Sequence, residues 1–488
     1  MGGTVRFLLD GEVQELVNPD PTATILNHLR YSLRRPGTKE GCAEGDCGAC
    51  TVVIGEAAGN RVRYRAVNAC ILFLPQLDGR ELVTVESLAG ARGALHPVQQ
   101  AMVDCHGSQC GFCTPGIVMS LYAHYLNDGA ADTATLNDTL AGNLCRCTGY
   151  GPILEAGRKM YEYAKPADRH DPKRAAERLR QIQPDAMLEI NYRCPLTGKD
   201  KRYLAPRSLD ELAEAAARYP DAVILAGATD VGLWVTKQHR VLETVISIND
   251  VPELAEIADT GDALEIGAGV RYTDALAGIT ALYPDFGELI RRLGSVQIRN
   301  SGTIGGNIAN GSPIGDSLPA LIAAGAALVL RKGSEQRELP LEDYFVAYGK
   351  QDRKPGEFVE KVRLPKPAPE LFYTAYKLSK RFDQDISGLC GAFAFQIEDG
   401  TVTSARLAFG GMAETPKRAQ NAEAAFTGEP WSEGTVEGAM AALEQDFAPI
   451  TDMRASAAYR MAAAKNLLMK AWRESQGTDT RVLEACHG

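Results

Sequence analysis

The sequence lacks the features that would indicate a membrane or nucleic-acid partner. No window holds the roughly 18 uninterrupted apolar residues of a transmembrane helix, and the first residues reach Asp10 and Glu12 too soon to form the apolar core of a signal peptide. Basic residues are outnumbered, with 52 Lys and Arg against 62 Asp and Glu. Because phosphate binding depends on clustered Lys and Arg, nucleic acid is not an expected partner. We therefore expect a cytoplasmic protein without a membrane partner.

Cysteine is sparse in most of the chain but crowded at its start. Nine of the twelve cysteines lie within the first 150 of 488 residues. In a reducing compartment such crowding indicates metal binding or redox chemistry more than disulfides. The alternative, small buried thiols, suits single cysteines such as Cys194, Cys390 and Cys486. The length predicts two to four domains, and 45% hydrophobic with 23% charged residues is ordinary for a globular protein.

The first cysteine group lies in the glycine-rich stretch GCAEGDCGACTVVIG. Its spacing, C-x4-C-x2-C followed by one later cysteine, is typical of a plant-type 2Fe–2S cluster. Glycines let such a loop wrap an inorganic core and point amide N–H groups at it. Zinc is the alternative, but structural zinc usually takes paired C-x2-4-C ligands, and only one such pair occurs here. The surrounding segments predict a hairpin about Asp10 and Gly11 and a strand at TVVIG. The candidate ligands are Cys42, Cys47, Cys50 and Cys70.

A second cysteine group combines C-x2-C in GSQCGFCTPG with C-x-C in AGNLCRCTGYGPI. The intervening IVMSLYAHYLND has helical periodicity, so each pair is predicted at a helix end. Four thiolates so placed could bind zinc or iron, and the tight C-x-C pair is an awkward fit to tetrahedral zinc. We interpret Cys105, outside this spacing, as structural. The candidate ligands are Cys110, Cys113, Cys145 and Cys147.

Taken together, GCAEGDCGACTV, NAC, HGSQCGFCTPG and LAGNLCRCTGY resemble the two-cluster region of molybdenum-containing hydroxylases, the xanthine dehydrogenase and aldehyde oxidase family. The resemblance implies two 2Fe–2S clusters, the second lying nearer to a molybdopterin cofactor. It also implies that Gln109 approaches the pterin. An ordinary exposed or capping glutamine is the alternative interpretation of that residue.

Two glycine-rich loops follow in the next part of the chain. AVILAGATDVG passes from an apolar strand into a loop whose amides could hold a pyrophosphate. It is not G-x-G-x-x-G, so a Rossmann site is not indicated. The second loop, in RNSGTIGGNIANGSPIGD, offers small residues for close approach of a ligand, with Asn and Asp for its polar edges. Two such loops in one domain favour a ligand over simple turns.

Both loops resemble the FAD-binding domain of the same family, which has a vanillyl-alcohol-oxidase-like fold. The resemblance assigns the FAD diphosphate to the loops, the cofactor's sugar region to Asp316, and the flavin site to Val359 and Lys377. Leu293 departs from the pattern, since relatives place an aromatic residue there against the cofactor. The implied diphosphate-binding residues are Leu225, Ala226, Gly227, Ala228, Thr229, Asp230, Val231 and Gly232, with Thr303, Ile304, Gly305, Gly306 and Asn307.

The predicted fold class is α+β multidomain. We expect a ferredoxin-like β-grasp 2Fe–2S domain over 1–85 and a helical-bundle 2Fe–2S domain over 86–164. A charged linker at 165–190 precedes the FAD-binding domain at 191–370. An α/β C-terminal flavoprotein subdomain at 371–488 has strand alternation followed by helices, with no catalytic role assigned.

The order of domains resembles the small subunit of bacterial xanthine dehydrogenases. It implies that purine hydroxylation occurs at a molybdopterin on a partner chain, and that electrons pass through both clusters to FAD and on to NAD. A heterotetramer with two copies of each subunit is implied. Two alternatives stay open: a subunit serving another molybdenum hydroxylase that acts on an aldehyde or N-heterocycle, and a stand-alone diaphorase or non-enzymatic redox adapter.

Overall fold

A computed structural model describes residues 3–88, 90, 93–127, 129–164 and 172–480. The chain divides into two compact units, one formed by residues 1–252 with 294–302 and the other by 253–293 with 303–488. Cys486 lies outside the described residues. Within the described ranges, no helix combines the length and the apolar character needed to span a membrane.

The strands and helices are numbered in chain order. The strands are β1 Thr4–Leu9, β2 Glu12–Val17, β3 Thr51–Ala58, β4 Arg61–Asn68, β5 Glu81–Val83, β6 Leu188–Arg193, β7 Asp200–Ala205, β8 Val223–Leu225, β9 Thr244–Ser247, β10 Ile257–Asp259, β11 Ala263–Gly267, β12 Ala327–Lys332, β13 Glu335–Pro340, β14 Phe345–Ala347, β15 Lys350–Gln351, β16 Phe358–Pro365, β17 Leu371–Leu378, β18 Leu389–Glu398, β19 Thr401–Gly410 and β20 Lys417–Arg418. The helices are α1 Ile25–Asn27, α2 Pro97–Asp104, α3 Thr114–Leu126, α4 Thr133–Leu140, α5 Gly151–Lys159, α6 Pro172–Gln181, α7 Leu209–Arg218, α8 Val231–Thr236, α9 Tyr272–Leu282, α10 Pro284–Arg291, α11 Val296–Arg299, α12 Ile304–Asn310, α13 Ser317–Ala323, α14 Gln420–Phe426, α15 Glu433–Asp446 and α16 Ala457–Ser475.

The first unit begins with a five-stranded sheet in the order β2-β1-β5-β3-β4. The predicted hairpin is confirmed: β1 and β2 pair in antiparallel fashion around Asp10 and Gly11. Both loop residues have positive φ, 55° and 77°, as a two-residue hairpin turn requires. The predicted TVVIG strand is the start of β3, and it carries the first cysteine loop at its N-terminal end.

Helices α2 to α5 form the second cysteine-bearing region of the same unit. Helix α3 is buried along eight consecutive positions from Gly116 to Ala123, so it lies inside this region and not on its surface. Cys113 precedes its first turn, as predicted for one pair. Cys145 and Cys147 differ from the prediction: α3 ends at Leu126, and they lie between α4 and α5. An additional helix, α4, lies between α3 and Cys145, and the apolar periodicity of the sequence did not predict it.

The predicted linker contains regular structure among its described residues. Helix α6 spans Pro172–Gln181, and β6 starts at Leu188. The α6 residues Ala176 and Leu179 are fully buried, and Leu179 packs against Leu8 of β1. The high charge of this segment hid a narrow apolar face that docks on the first sheet. A mixed sheet of order β6-β7-β9-β8 completes the first unit, together with the short helix α11.

The described residues of the second unit form two larger antiparallel sheets and the two-stranded antiparallel pair of β14 with β15. One has the order β10-β11-β16-β12-β13 and the other the order β17-β18-β19-β20. Helices α14, α15 and α16 cover one face of the second sheet, where Phe393 and Phe409 pack with Leu443 and Leu467. This arrangement confirms the predicted strands followed by helices, and the mixed α and β content agrees with the predicted fold class.

Candidate redox-cofactor sites

The first cysteine loop brings its four predicted ligands together. The Cys42 side chain contacts those of Cys47 and Cys70, and Cys50 contacts Cys70, so the four thiols form one continuous group. Cys50 and Cys70 are buried, with 1% and 2% of their surface exposed. The first thiol is also surrounded by amides, since the N–H groups of Glu44, Asp46 and Cys47 donate to Cys42 Sγ at 3.3–3.4 Å. Amides that point at a sulfur stabilise negative charge there.

The loop is tight enough to require glycine. A β-carbon at Gly41 would lie 2.7 Å from Cys47 Sγ, and Gly45 and Gly48 have φ of 80° and 72°. Only glycine takes such backbone angles without strain. The glycines thus let three cysteines converge within nine residues, as the sequence predicted.

The chemistry of the first thiol group fits a metal cluster with a cationic core. Contacts from Cys47 and Cys70 lower the pKa of Cys42, whereas contacts with Cys42 and Cys50, together with burial, raise the pKa of Cys70. Without a cation, adjacent buried thiols therefore share protons and do not all ionise. Metal ions remove those protons and hold every sulfur as thiolate. The four cysteines are a suitable donor set for a 2Fe–2S cluster.

The second cysteine group has two pairs of contacting side chains, Cys113 with Cys145 and Cys110 with Cys147. Burial and the Cys145 thiol raise the pKa of Cys113 to about 12. The Thr148 hydroxyl lies 3.2 Å from Cys145 Sγ, and the Cys145 amide donates to the Tyr150 hydroxyl at 2.8 Å. Pairs of thiols suit a cluster in which each iron takes two cysteines.

The zinc alternative requires ligands that converge on one ion. Among the described residues, no group of three or more His, Cys, Asp or Glu side chains is arranged to hold a single metal ion. Cys105 is half-buried in the helical core, and burial raises its pKa, which agrees with a structural role. Gln109 is exposed.

The two cysteine loops touch through their backbones. The Leu144 amide donates to the carbonyl oxygen of Cys47 at 3.0 Å, so one hydrogen bond links a residue of the first group to the neighbour of Cys145. The approach is close: a β-carbon at Gly116 would lie 2.1 Å from Gly48 O. Neither contact was evident from the sequence.

A buried polar network closes the space between the loops. Asn143 Nδ2 donates to Gly48 O at 3.2 Å, and Ser120 Oγ donates to Asn143 Oδ1 at 2.6 Å. Gln297 of α11 is fully buried, and its Nε2 lies 3.0–3.2 Å from Asn143 Oδ1, Ser120 Oγ and Thr51 Oγ1. The sequence carried no signal for Gln297, which lies about 150 residues beyond the second cysteine group.

The first predicted FAD loop, residues 225–232, lies in the first unit between β8 and α8. Gly227 and Ala228 are buried, and Ala228 has a φ of 59°. The amides of Gly227, Ala228, Thr229 and Asp230 donate to no other group among the described residues. Buried backbone donors, such as those of Gly227 and Ala228, rarely stay unpaired, and successive amides around a left-handed residue form an anion-binding concavity. These donors fit a phosphate group.

Protein packing also explains two glycines of this loop. A β-carbon at Gly227 would lie 1.9 Å from Ser301 O, and one at Gly232 would lie 2.5 Å from Ile71 O. Gln76 Nε2 donates to Ala226 O at 3.0 Å. The loop is therefore held against the first iron–sulfur domain, a reason for small residues that the sequence interpretation did not include.

The second predicted loop belongs to the other unit and starts α12. Thr303 Oγ1 accepts from the Gly306 amide at 2.9 Å and caps the helix. Gly305 packs on Ala268, where a β-carbon would lie 2.5 Å away. Asn307 Oδ1 accepts from Ser317 Oγ at 2.8 Å. Of the remaining predicted residues in this unit, Ile304 is fully buried, Val359 lies in β16 with 7% of its surface exposed, and Leu293 is half-buried after α10.

The predicted residues Asp316 and Lys377 form a buried ion pair in the second unit. Lys377 Nζ lies 2.7 Å from Asp316 Oδ2, and 2% and 6% of the two side chains are exposed. Lys377 also donates to Arg292 O at 3.3 Å. Sequence reasoning assigned both residues to one site but did not predict that they bind each other.

Four family models match successive parts of the chain. A 2Fe-2S iron-sulfur cluster binding domain matches residues 7–74, and a second [2Fe-2S] binding domain matches 84–158. The FAD binding domain in molybdopterin dehydrogenase matches 197–367, and the CO dehydrogenase flavoprotein C-terminal domain matches 374–475. These domains match the molybdenum hydroxylase family.

Similar proteins include several molybdenum hydroxylases. Xanthine dehydrogenase of Emericella nidulans is 33% identical over 91% of this chain, and aldehyde oxidase 1 of Rattus norvegicus is 31% identical over 88%. The chain spans 36% of the length of each of these relatives. A solved carbon monoxide dehydrogenase chain from Hydrogenophaga pseudoflava is 29% identical, with a TM-score of 0.53 over 55% of this chain and 94% of that one. The chain therefore has domains similar to the iron–sulfur and FAD-binding domains of these oxidoreductases.

Proposed function

We propose that this chain is the electron-transfer subunit of a xanthine dehydrogenase, similar to the small subunit of the bacterial enzymes. It would take electrons from a molybdopterin centre on a large partner subunit during oxidation of hypoxanthine or xanthine to urate, and deliver them to NAD. The observation that carries the proposal is that the candidate ligands of two iron–sulfur clusters and the candidate FAD-binding residues occur in one chain.

Exposure of the second cysteine group supports transfer between chains. Cys110 and Cys147 are exposed, whereas Cys50 and Cys70 of the first group are buried. Phe112 and Leu144, beside the exposed thiols, have 47% and 39% of their surface exposed. An apolar rim around accessible thiols suits a protein partner more than bulk water. The proposed partner binds there and contributes the molybdopterin.

When bound, the two clusters and FAD supply one-electron and two-electron redox chemistry. The protein residues bind and shield them. The eight cysteines supply the cluster thiolates, and the amides that point at Cys42 Sγ stabilise negative charge at the first cluster. The hydrogen bond from the Leu144 amide to Cys47 O keeps the two cysteine loops at a constant separation. The free amides of residues 227–230 would hold the FAD diphosphate.

The remaining assignments are proposals of the same standing. The resemblance implies the other FAD-binding residues, the approach of Gln109 to the pterin and a heterotetramer with two copies of each subunit. The domain boundaries at residues 85, 164, 190 and 370 and a cytoplasmic location are proposed as well, with composition and the lack of a signal peptide as their support. The similarity to an aldehyde oxidase favours one second candidate, a subunit serving a molybdenum hydroxylase of aldehydes or N-heterocycles.

The test is an anaerobic visible spectrum of the complex purified from its host. We expect xanthine to bleach both flavin and iron–sulfur absorption and NAD to restore them. If an aldehyde or N-heterocycle bleaches the complex and xanthine does not, the second candidate replaces the first. If the protein contains iron–sulfur clusters but no flavin, the assignment of NAD reduction to this chain is wrong.

A further inference from the structure

The Asp316–Lys377 pair contacts a third buried residue, Ser387, to which the resemblance gives no role in FAD binding. Ser387 is 1% exposed, and its hydroxyl donates to Asp316 Oδ1 at 2.5 Å, opposite the oxygen that binds Lys377. The two carboxylate oxygens therefore have different partners, one ammonium and one hydroxyl. We propose that Ser387 is a positioning residue that fixes the Asp316 carboxylate, and through it the Lys377 ammonium, for FAD binding. This inference rests on the proposed function, because both of these residues are assigned to FAD there.

Burial is the reason that the hydroxyl matters. A carboxylate and an ammonium removed from water are stable only when their remaining hydrogen-bonding positions are filled. Lys377 finds a second acceptor in Arg292 O at 3.3 Å. On the carboxylate, the Ser387 hydroxyl donates to Oδ1, the oxygen that Lys377 does not bind. Without the hydroxyl, Oδ1 is a buried acceptor with a lost partner, and the carboxylate is free to rotate about its bond to Cβ.

The position of Ser387 is itself fixed from the far side by Arg460. This arginine is 1% exposed, and its Nη1 donates to Gly388 O at 2.7 Å and Gly411 O at 2.6 Å. Its Nη2 binds Asp452 Oδ1 at 2.7 Å. Gly388 follows Ser387 directly, so the guanidinium holds the backbone beside the hydroxyl.

The same arginine also restrains the segment that leads to Asp316. The Gly411 amide donates to Pro313 O at 2.8 Å, three residues before Asp316. A β-carbon at Gly411 would lie 2.6 Å from Gly388 O, so the two segments are in direct contact. Arg460 thus connects both partners of the hydrogen bond between Ser387 and Asp316.

The test measures FAD binding to the full chain after the flavin is removed and the clusters are retained. We expect Ser387→Ala to weaken FAD binding about tenfold, because hydrogen bonds to charged groups contribute more than neutral ones. Ser387→Thr keeps the hydroxyl and should bind FAD within about twofold of the wild type. The matched control is Ser379→Ala, since the Ser379 hydroxyl donates to Arg381 O in the same segment and does not contact Asp316.

A double-mutant cycle separates positioning from a general structural role. If Ser387 acts through the carboxylate, Ser387→Ala should have little further effect on FAD affinity in an Asp316→Asn background. Full additivity, or a loss of affinity that follows a lowered unfolding midpoint of the FAD-free protein, would overturn the inference. So would unchanged FAD binding by Ser387→Ala. If the wild-type chain itself takes up no FAD, the proposed function fails together with the inference.

Discussion

Replacing Gly116 with alanine tests the contact between the two cysteine loops. Gly116 lies in the first turn of α3, three residues after Cys113, and faces the backbone that follows Cys47. The added methyl group would lie 2.1 Å from Gly48 O and 3.2 Å from Ala49 Cα, whereas ordinary contact begins at 3.4 Å. Because the obstacle is backbone and not a flexible side chain, the helix or the cysteine loop must move by about 1 Å.

Opposed effects determine how much Gly116→Ala changes the free energy of unfolding of the first unit. Alanine is favoured over glycine within a helix by about 1 kcal/mol. Overpacking in a tight core costs about 1–3 kcal/mol, and loss of the hydrogen bond from Leu144 to Cys47 would cost about 1 kcal/mol more. The net expectation is a destabilisation of about 1–3 kcal/mol in the first unit. The separation of the loops should also weaken the magnetic interaction between the reduced clusters.

The assay is urea unfolding followed by the visible absorption of the clusters, with EPR spectra of the reduced protein. Gly438→Ala is the matched control, since Gly438 lies in α15 and, beyond its own helix backbone and chain neighbours, no atom of the described residues lies within 4 Å of the added methyl group. Because Gly438 lies in the second unit and the clusters in the first, the control should leave the urea midpoint of the cluster absorption unchanged. If Gly116→Ala unfolds at the same or a higher urea concentration with an unchanged EPR spectrum, the backbone contact between the loops does not exist.

Three further predictions concern the first unit. Cys47→Ser should remove the EPR signal of one cluster and Cys105→Ser should remove neither; two retained signals in the first variant contradict the ligand assignment. Gln297→Leu should destabilise the unit by about 1–3 kcal/mol, because the buried oxygens that its amide reaches lose a donor, and an unchanged urea midpoint would show that the network is not needed. Burial raises the pKa of Glu81, so its folded form holds a proton more tightly than the unfolded chain. The contribution of protonated Glu81 to stability is complete below about pH 4.3, the ordinary pKa of a glutamate, and is lost as the pH rises through the raised pKa of the folded protein. The thermal midpoint of Glu81→Gln should therefore exceed that of the wild type by a margin that grows from about pH 4.5 upward. Parallel pH profiles of the two midpoints would refute this prediction.

Local patterns predicted the parts of the site that short segments build. Cys42, Cys47 and Cys50 converge because glycines bend one loop, and both features are visible in ten residues of sequence. The hairpin at Asp10 and Gly11 is equally local. Prediction was less complete where a charged segment conceals a docking face, as in α6, or where an extra helix interrupts the expected spacing, as before Cys145. In both places the segment becomes helical because it packs against another part of the chain, and that partner is not visible in the local sequence.

The sequence by itself determined the cysteine groups and the glycine-rich loops, because their chemistry depends on spacing that the covalent chain imposes. Tertiary structure alone decided that Gln297 lies between the two cysteine loops and that Ser387 completes the pair of Asp316 with Lys377. These contacts join residues separated by about 60 to 250 positions. No local pattern encodes them, because each forms only when buried polar groups from distant segments must satisfy one another away from water.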